Sequence, residues 1–516
     1  MSNREIRAAQ NYHSGTKHPN GYLMDPSHYY HPSQEPLKFK IYQGTELIEL
    51  PQPGKPLGMP ALEAVAANPR SPGGDRIPAL EEVSQVLYYS AGITKKIDYP
   101  WGEFYFRAAA CTGALYHIEI YLACGDLPDL PAGLYHYEPQ ANALARLRQG
   151  DYRRHLIQAS GDEPSVEAAP VILIFTDVFW RNAVKYQARA YRHTFWDGGT
   201  ILSQTLAVCA AQDLSARVVM GFVDEQVNKL LGLDVEEEAA FALAPLGHAS
   251  NMPAPAAPEV TSIDYPILPI GGRKPVKFAA IRDIHAASSL DNAPEVAAWR
   301  ITTPLLEHPA AQSQLIHLQA PASDGFPDDD LSEVILRRGS ARQFVQLPIT
   351  FGQLSTLLSV SLPGSTGGTL ADFLYPPGST LVTPYLIVNT VDGLEAGSYV
   401  YQRKAQALEP LRIGAFRALA GQLALGQELA ADASVNIYML ADLDRALNAF
   451  GNRGYRAAQL EAAIAAGRMY LAAYAQRFSA TGLTFYDDAV IRFFSPHAEG
   501  MSVMFLIALG KKARRR

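Results

Sequence analysis

Arg189-Ala190-Tyr191-Arg192 returns as Arg453-Gly454-Tyr455-Arg456. The first copy opens a long amphipathic helix running to about Leu214, and the second a long helix running to about Gly482. Working outward, Gly133-Leu134-Tyr135-His136-Tyr137 upstream is echoed by Gly397-Ser398-Tyr399-Val400-Tyr401. Downstream, Phe222-Val223-Asp224-Glu225-Gln226-Val227 is echoed by Phe485-Tyr486-Asp487-Asp488-Ala489-Val490. The offset hardly drifts (455 − 191 = 264; 490 − 227 = 263), so one domain has been duplicated in tandem. The copies have decayed in opposite places. An arginine cluster survives only in the second and a Lys-Tyr pair only in the first, which points to one working site built from both halves.

A chain of 516 residues is too long for one core and suits two domains of roughly 200 residues each. Its 48% hydrophobic and 18% charged content is ordinary globular composition. A net charge of −7 argues against a nucleic-acid or anionic-membrane partner. The basic run from Lys511 to Arg516 is terminal and, by itself, reads as a solvated tail. Cys111, Cys124 and Cys209 form neither a disulfide framework nor a C-x-x-C metal or redox motif, which fits a reducing compartment. The N-terminus lacks the apolar core of a signal peptide. The most apolar helical stretch, Ala457 to Gln476, carries Glu461 and Arg468 and reads as a core helix. The expectation is a soluble cytoplasmic protein.

Periodicity divides the chain into an extended lead-in (1–60), a first domain (61–247), a Pro/Ala-rich linker (248–295) and a second domain (296–516). A helix is predicted over Pro78–Ala91, and strands over Leu115–Ala123 and Val171–Thr176. Asp328-Asp329-Asp330 precedes a predicted helix Leu331–Arg337, where negative charge favours the N-terminus. Further strands are predicted at Pro384–Asn389, Val435–Leu440 and Ser502–Leu509. Helices and strands interleave without a strict βαβ rhythm, so the expected class is α+β: mostly antiparallel sheets with helices packed on them.

Three clusters carry chemistry. Arg337-Arg338-Gly339-Ser340-Ala341-Arg342 offers three guanidiniums and a hydroxyl within six residues, a set that can surround a phosphate. A solvated basic turn is the alternative. The corresponding stretch of the first copy, Asn68 to Arg76, has lost that spacing. Lys185-Tyr186 could donate hydrogen bonds or exchange protons, although a lysine lying along a packed tyrosine is the plainer reading. The second copy has Ala449 and Phe450 there. Ala110-Cys111-Thr112-Gly113-Ala114, matched by Ser365 to Leu370, places small residues before a strand, where a flat ring can lie against backbone. Neither a P-loop nor a dinucleotide-binding glycine motif occurs. His13, His18, His28 and His31 lack metal-ligand spacing.

Taken together these residues resemble the nitroreductase-like flavoprotein superfamily over most of 75–250 and 325–512. The likeness is nearest to the SagB-type dehydrogenases, which include the azoline oxidases of thiazole/oxazole peptide biosynthesis. The resemblance rests on Arg338-x-Ser340-x-Arg342, the turn before Ala114-Leu115, Pro131-Ala132-Gly133-Leu134-Tyr135, Lys185-Tyr186 with Arg189-x-Tyr191-Arg192, and Gly221 to Asp234. It implies FMN bound between two such domains, here an internal pseudo-dimer with one FMN per chain, as a monomer or weak homodimer. It implies that Arg338, Ser340 and Arg342 hold the phosphate, with Lys511, Lys512 or Arg514 completing that site. It places Phe485, Tyr486 and Asp487 near flavin N5 and lays Cys111, Thr112, Gly113 and Ala114 against the ring. Lys185 and Tyr186 match the pair associated with azoline dehydrogenation. Two departures stand out: Ala110-Cys111-Thr112 replaces the usual Pro-Ser before the glycine, and Asp197-Gly198 carries a shortened acid. The implied activity is that of an FMN-dependent oxidoreductase passing a hydride through flavin N5, with the substrate open: the Lys-Tyr pair suggests an azoline on a modified peptide, which would need a cyclodehydratase partner. The alternatives are an NAD(P)H-dependent nitro or quinone reductase, a non-catalytic flavin-binding or scaffold protein, and a flavin-destroying enzyme.

Overall fold

A computed structural model describes residues 3–18, 35–67, 74–99, 102–272, 274–300, 313–319, 328–362, 371–374 and 378–513. The first half builds a six-stranded antiparallel sheet. Its order is Glu46–Glu49, Ala143–Gln149, Gly133–Glu138, Ile118–Cys124, Val171–Val178, Glu238–Leu246. The second half repeats that order as Ile316–His317, Ala407–Ile413, Gly397–Gln402, Thr383–Val388, Val435–Ala441, Ser502–Lys512. Phe344–Val345 and Ser479–Leu483 also pair with Ser502–Lys512. The duplication extends to register. Tyr121 faces His136 and Ile174, and Tyr385, 264 residues on, faces Val400 and Tyr438.

The expected α+β class and antiparallel sheets are therefore present, and the predicted elements fall close to their places. Leu331–Arg337 is a helix whose N-cap, Asp330, accepts the Ser332 N–H at 2.8 Å. Val171–Val178 is buried along its whole length, because it lies inside its sheet with both faces covered.

The two long helices, Ala190–Ala211 and Arg453–Ala475, pack on each other at the centre of the molecule. Small residues make the crossing possible. A Cβ on Gly199 would lie 2.5 Å from Ala463 Cβ, and one on Gly467 would lie 2.1 Å from Ser203 Oγ. Ala190–Cys209 is buried throughout, which corrects its amphipathic reading, and all 23 residues of Arg453–Ala475 are buried, as the core-helix reading expects. Its polar side chains face internal partners instead of water. It ends at Ala475, short of Gly482, and Arg477 at φ 64° turns the chain into Ser479–Leu483.

The repeated motifs bind each other reciprocally across the halves. Arg453 and Arg456 donate to Asp224 at 2.6 and 2.9 Å; Arg192 and Arg189 donate to Asp487 at 2.7 and 3.2 Å. The lead-in is not simply extended. It contains a helix, Arg7–Gly15, beside which Asn3 bonds to Phe450 O and Thr16 receives the Arg192 Nε–H. It also supplies the edge strand Glu46–Glu49. The linker likewise carries a helix, Ala279–Ala287, whose buried His285 lies against Tyr191 and Arg456. Among the described residues no helix is long and apolar enough to cross a membrane.

Candidate functional site

The strand Ile118–Cys124 is entered through a tight loop in which Gly113, Ala114 and Tyr116 have φ of 65°, 54° and 47°. Left-handed backbone is free for glycine but costs about 1–3 kcal/mol at each non-glycine position, so other contacts must hold it. Asp197, on the long helix, supplies them. Its carboxylate accepts the Thr112 N–H at 2.9 Å, the Thr112 hydroxyl at 2.8 Å and the Cys111 thiol at 3.1 Å. Cys111 Sγ in turn accepts the Tyr116 N–H at 3.1 Å. Burial and the Asp197 charge raise the thiol's pKa, so Cys111 is a neutral donor.

Lys185 and Tyr186 end the helix Phe179–Tyr186, and Gln187 at φ 52° terminates it. The Tyr186 hydroxyl stands 3.1 Å from where a Cβ on Gly113 would be, which puts Tyr186 against the loop. Lys185 Nζ lies 5.3 Å from the centre of the Tyr186 ring. Burial lowers the Lys185 pKa; Glu35 raises it, and the Arg342 and Lys38 charges lower it further. Burial, with Asp197 and Cys111, keeps the Tyr186 phenol protonated. The Arg342 charge lowers the pKa of both side chains.

Within that cluster, Arg338 is committed to protein: it donates to the carbonyl oxygens of Ala108 and Arg107 at 2.7 and 3.2 Å, stapling the lead into the loop onto the second half. Ser340 Oγ is 3.3 Å from the Tyr470 hydroxyl, which also accepts the Gly482 N–H at 2.6 Å. Arg342 is exposed and, among the described residues, has no carboxylate at ion-pair distance. Lys512 and Lys511 pair with Phe344 and Val345 just beyond it and are exposed. Arg514, and the second copy's Ser365 to Leu370, lie outside the described residues.

Phe485 is buried 5.9 Å from Trp196, the neighbour of Asp197, with the Arg189 guanidinium over its ring at 5.4 Å. The half-buried Tyr486 donates its N–H to Leu423 O at 2.9 Å. The Asp487 side chain belongs to the Arg189–Arg192 clamp. The structure thus groups the loop with Tyr186 and Arg338, and sets Phe485 against Trp196, the neighbour of Asp197.

Sequence reasoning missed His117, Asp177, His193 and Trp196. The fully buried His117 spans Asp177 and Asp197, at 2.6 and 2.7 Å. His193 lies edge-on to Tyr186 at 4.6 Å, and burial keeps its ring neutral. The signal existed: 264 residues on stand Leu381, Ala441, Ala457 and Leu460. Extending the comparison of copies beyond Lys185 and Tyr186 finds all four.

Residues 100–248 and 335–511, more than half the chain, match the nitroreductase family. A solved nitroreductase-named structure from Anabaena variabilis is 26% identical, with a TM-score of 0.77 over 98% of this chain and 99% of its own. A protein of Methanocaldococcus jannaschii, named as a candidate nitroreductase, is 24% identical over 168 residues, covering 33% of this chain and 80% of that protein. The microcin synthetase McbBCD complex of E. coli overlaps 45% of this chain and 74% of its own at 18% identity; its TM-score of 0.30 carries no argument. Both halves contribute a matched region and the whole length superposes on one relative, so this chain belongs to the nitroreductase family of oxidoreductases, with the family's domain present twice.

Proposed function

We propose that the chain is an FMN-dependent oxidoreductase with one composite site, oxidising an azoline ring on a modified peptide. One observation carries this: the Tyr186 hydroxyl stands beside the Gly113 loop of the first half while Arg338, from the second half's arginine cluster, donates to the carbonyls that lead into that loop. The residues fit a phosphorylated planar ring. Gly113 presents no side chain, and the exposed Arg342, with Ser340, Lys511 and Lys512 nearby, leaves cationic groups for an anion. When bound, FMN supplies the two-electron chemistry.

The protein's share is positioning and proton handling. Burial lowers the Lys185 pKa, the direction that favours its taking the proton that leaves substrate carbon, and the protonated Tyr186 donates a hydrogen bond that steadies the substrate. A duplicated chain already satisfies the two-fold of a dimer, which supports a monomer. A second reading, NAD(P)H-linked reduction of nitro compounds or quinones, is favoured by the family match. A cyclodehydratase encoded beside the gene would support the peptide substrate.

The test is the visible spectrum and the FMN-to-protein ratio of wild type, Arg342→Ala and Lys185→Ala. About one flavin per chain is expected, lost in the first variant and retained without turnover in the second. Two flavins per chain refute the single site. A colourless chain that refuses added FMN leaves a non-catalytic protein.

A further inference from the structure

Two carboxylates and an imidazole are sealed together behind the loop. His117 stands just before the strand Ile118–Cys124, Asp177 near the end of Val171–Val178, and Asp197 on the long helix, each at most 5% exposed. The ring's Nδ1 meets Asp177 and its Nε2 meets Asp197, while the second oxygen of Asp177 accepts the Thr194 hydroxyl. A neutral imidazole has one N–H and would turn a lone pair on one of these carboxylates. Burial opposes charge on the ring, but Asp177 and Asp197 outweigh it and push His117 up to about 9, so both nitrogens donate at neutral pH. Facing the ring are those carboxylates, Thr194 behind one, Cys111 behind the other, and the neutral His193.

The second half lacks this arrangement. Leu381 and Ala441 occupy the His117 and Asp177 positions. Glu461, at the Asp197 position, accepts the Leu381 N–H at 2.6 Å and the Thr380 hydroxyl, and burial raises its pKa. Leu381 and Ala441 thus form an uncharged pair that this fold buries in the same setting.

We propose that Asp177–His117–Asp197 is the positioning unit of the composite site: the doubly donating His117 anchors Asp197, which fixes Cys111 and Thr112 and keeps the left-handed Gly113–Ala114 turn in place beside Tyr186 for a planar ring. The ligand half of this rests on the flavin reading; the loop half does not. None of the three groups contacts substrate. They act through the loop, by fixing beforehand the backbone a ring would lie on.

The test is the double variant His117→Leu/Asp177→Ala, which installs the pair the second half already carries. In the FMN-free protein, amide exchange of residues 111–116 should speed up about tenfold or more, the loss of one charge-assisted hydrogen bond. Exchange elsewhere and the circular dichroism should stay unchanged, and the FMN dissociation constant should rise by a similar factor. Nitrogen NMR of wild-type His117 should show both ring nitrogens protonated at neutral pH. If the double variant fails to fold, His117→Gln, which keeps an uncharged donor, takes its place in both assays. Loop exchange and FMN affinity equal to wild type would overturn the proposal. So would stoichiometric zinc on Cys111, His117 and Asp197, whose donor atoms lie within 4.8 Å of one another, since a metal would replace the Nε2–H bond. If wild type itself ignores FMN, the flavin reading falls and the exchange experiment alone judges the loop.

Discussion

Replacing Asp487 by asparagine tests whether the reciprocal clamps hold the halves together. The carboxylate accepts Arg192 at 2.7 Å, Arg189 at 3.2 Å and the His18 N–H at 2.9 Å. Asparagine keeps one acceptor and turns an NH₂ toward guanidinium donors. Among the described residues, Arg192, fully buried, would retain only Thr16 Oγ1 and His13 O, and Arg189 only Thr16 O. Breaking a buried ion pair from one side costs about 3–5 kcal/mol, because the other charge stays desolvated. At about 2–4 °C per kcal/mol for units of this size, Tm should fall by roughly 10 °C. Asp224→Asn should cost a similar amount, since Arg453 and Arg456 are equally buried. The sign with pH follows from the same contacts. Burial opposes ionisation of Asp487, but Arg192 and Arg189 outweigh it and hold its pKa well below the usual range. A depressed carboxylate contributes fully above its unfolded value of about 3.9 and loses that contribution as pH falls through the folded value. Calorimetric melts at pH 7 and pH 3 read both effects. A Tm within about 2 °C of wild type at pH 7 would refute the clamp.

Gly467→Ala should destabilise by about 1–3 kcal/mol, because its Cβ would meet Ser203 Oγ at 2.1 Å and Thr200 Cα at 3.0 Å across the helix crossing; chemical denaturation measures it. His117, raised to about 9, stabilises fully below its unfolded value of about 6.5. That stabilisation should disappear as pH climbs through about 9, and the His117→Leu/Asp177→Ala variant should show no such decline. Gly113→Val, which adds bulk 3.1 Å from the Tyr186 hydroxyl at a φ of 65°, should abolish FMN uptake, as fluorescence titration would show.

The duplication, the α+β class and the main clusters were legible because each rests on local pattern: repeated motifs at a fixed offset, apolar runs bounded by turns, and charged residues within six positions. The helix Leu331–Arg337 matches its prediction because its cap lies beside it in sequence. What failed was whatever depends on a distant partner. The first copy's long helix read as amphipathic because Arg192, His193 and Asp197 look solvated; in the fold each is buried, Arg192 paired with Asp487 of the other half. His117 was passed over because the comparison of copies stopped at Lys185 and Tyr186, and nothing local marks a histidine whose partners, Asp177 and Asp197, stand 60 and 80 residues away.

By itself, then, the sequence determined that one domain occurs twice and that the copies lost different residues, since a nearly constant offset and residue identity survive in one dimension. Only the tertiary structure decided that each copy's Arg-x-Tyr-Arg motif binds the other's aspartate, that Arg338 staples the loop while Arg342 remains exposed, and that a histidine between two acids stands behind that loop. Those are facts about which buried charges find partners, and partners separated by tens to hundreds of residues are chosen only when the chain packs.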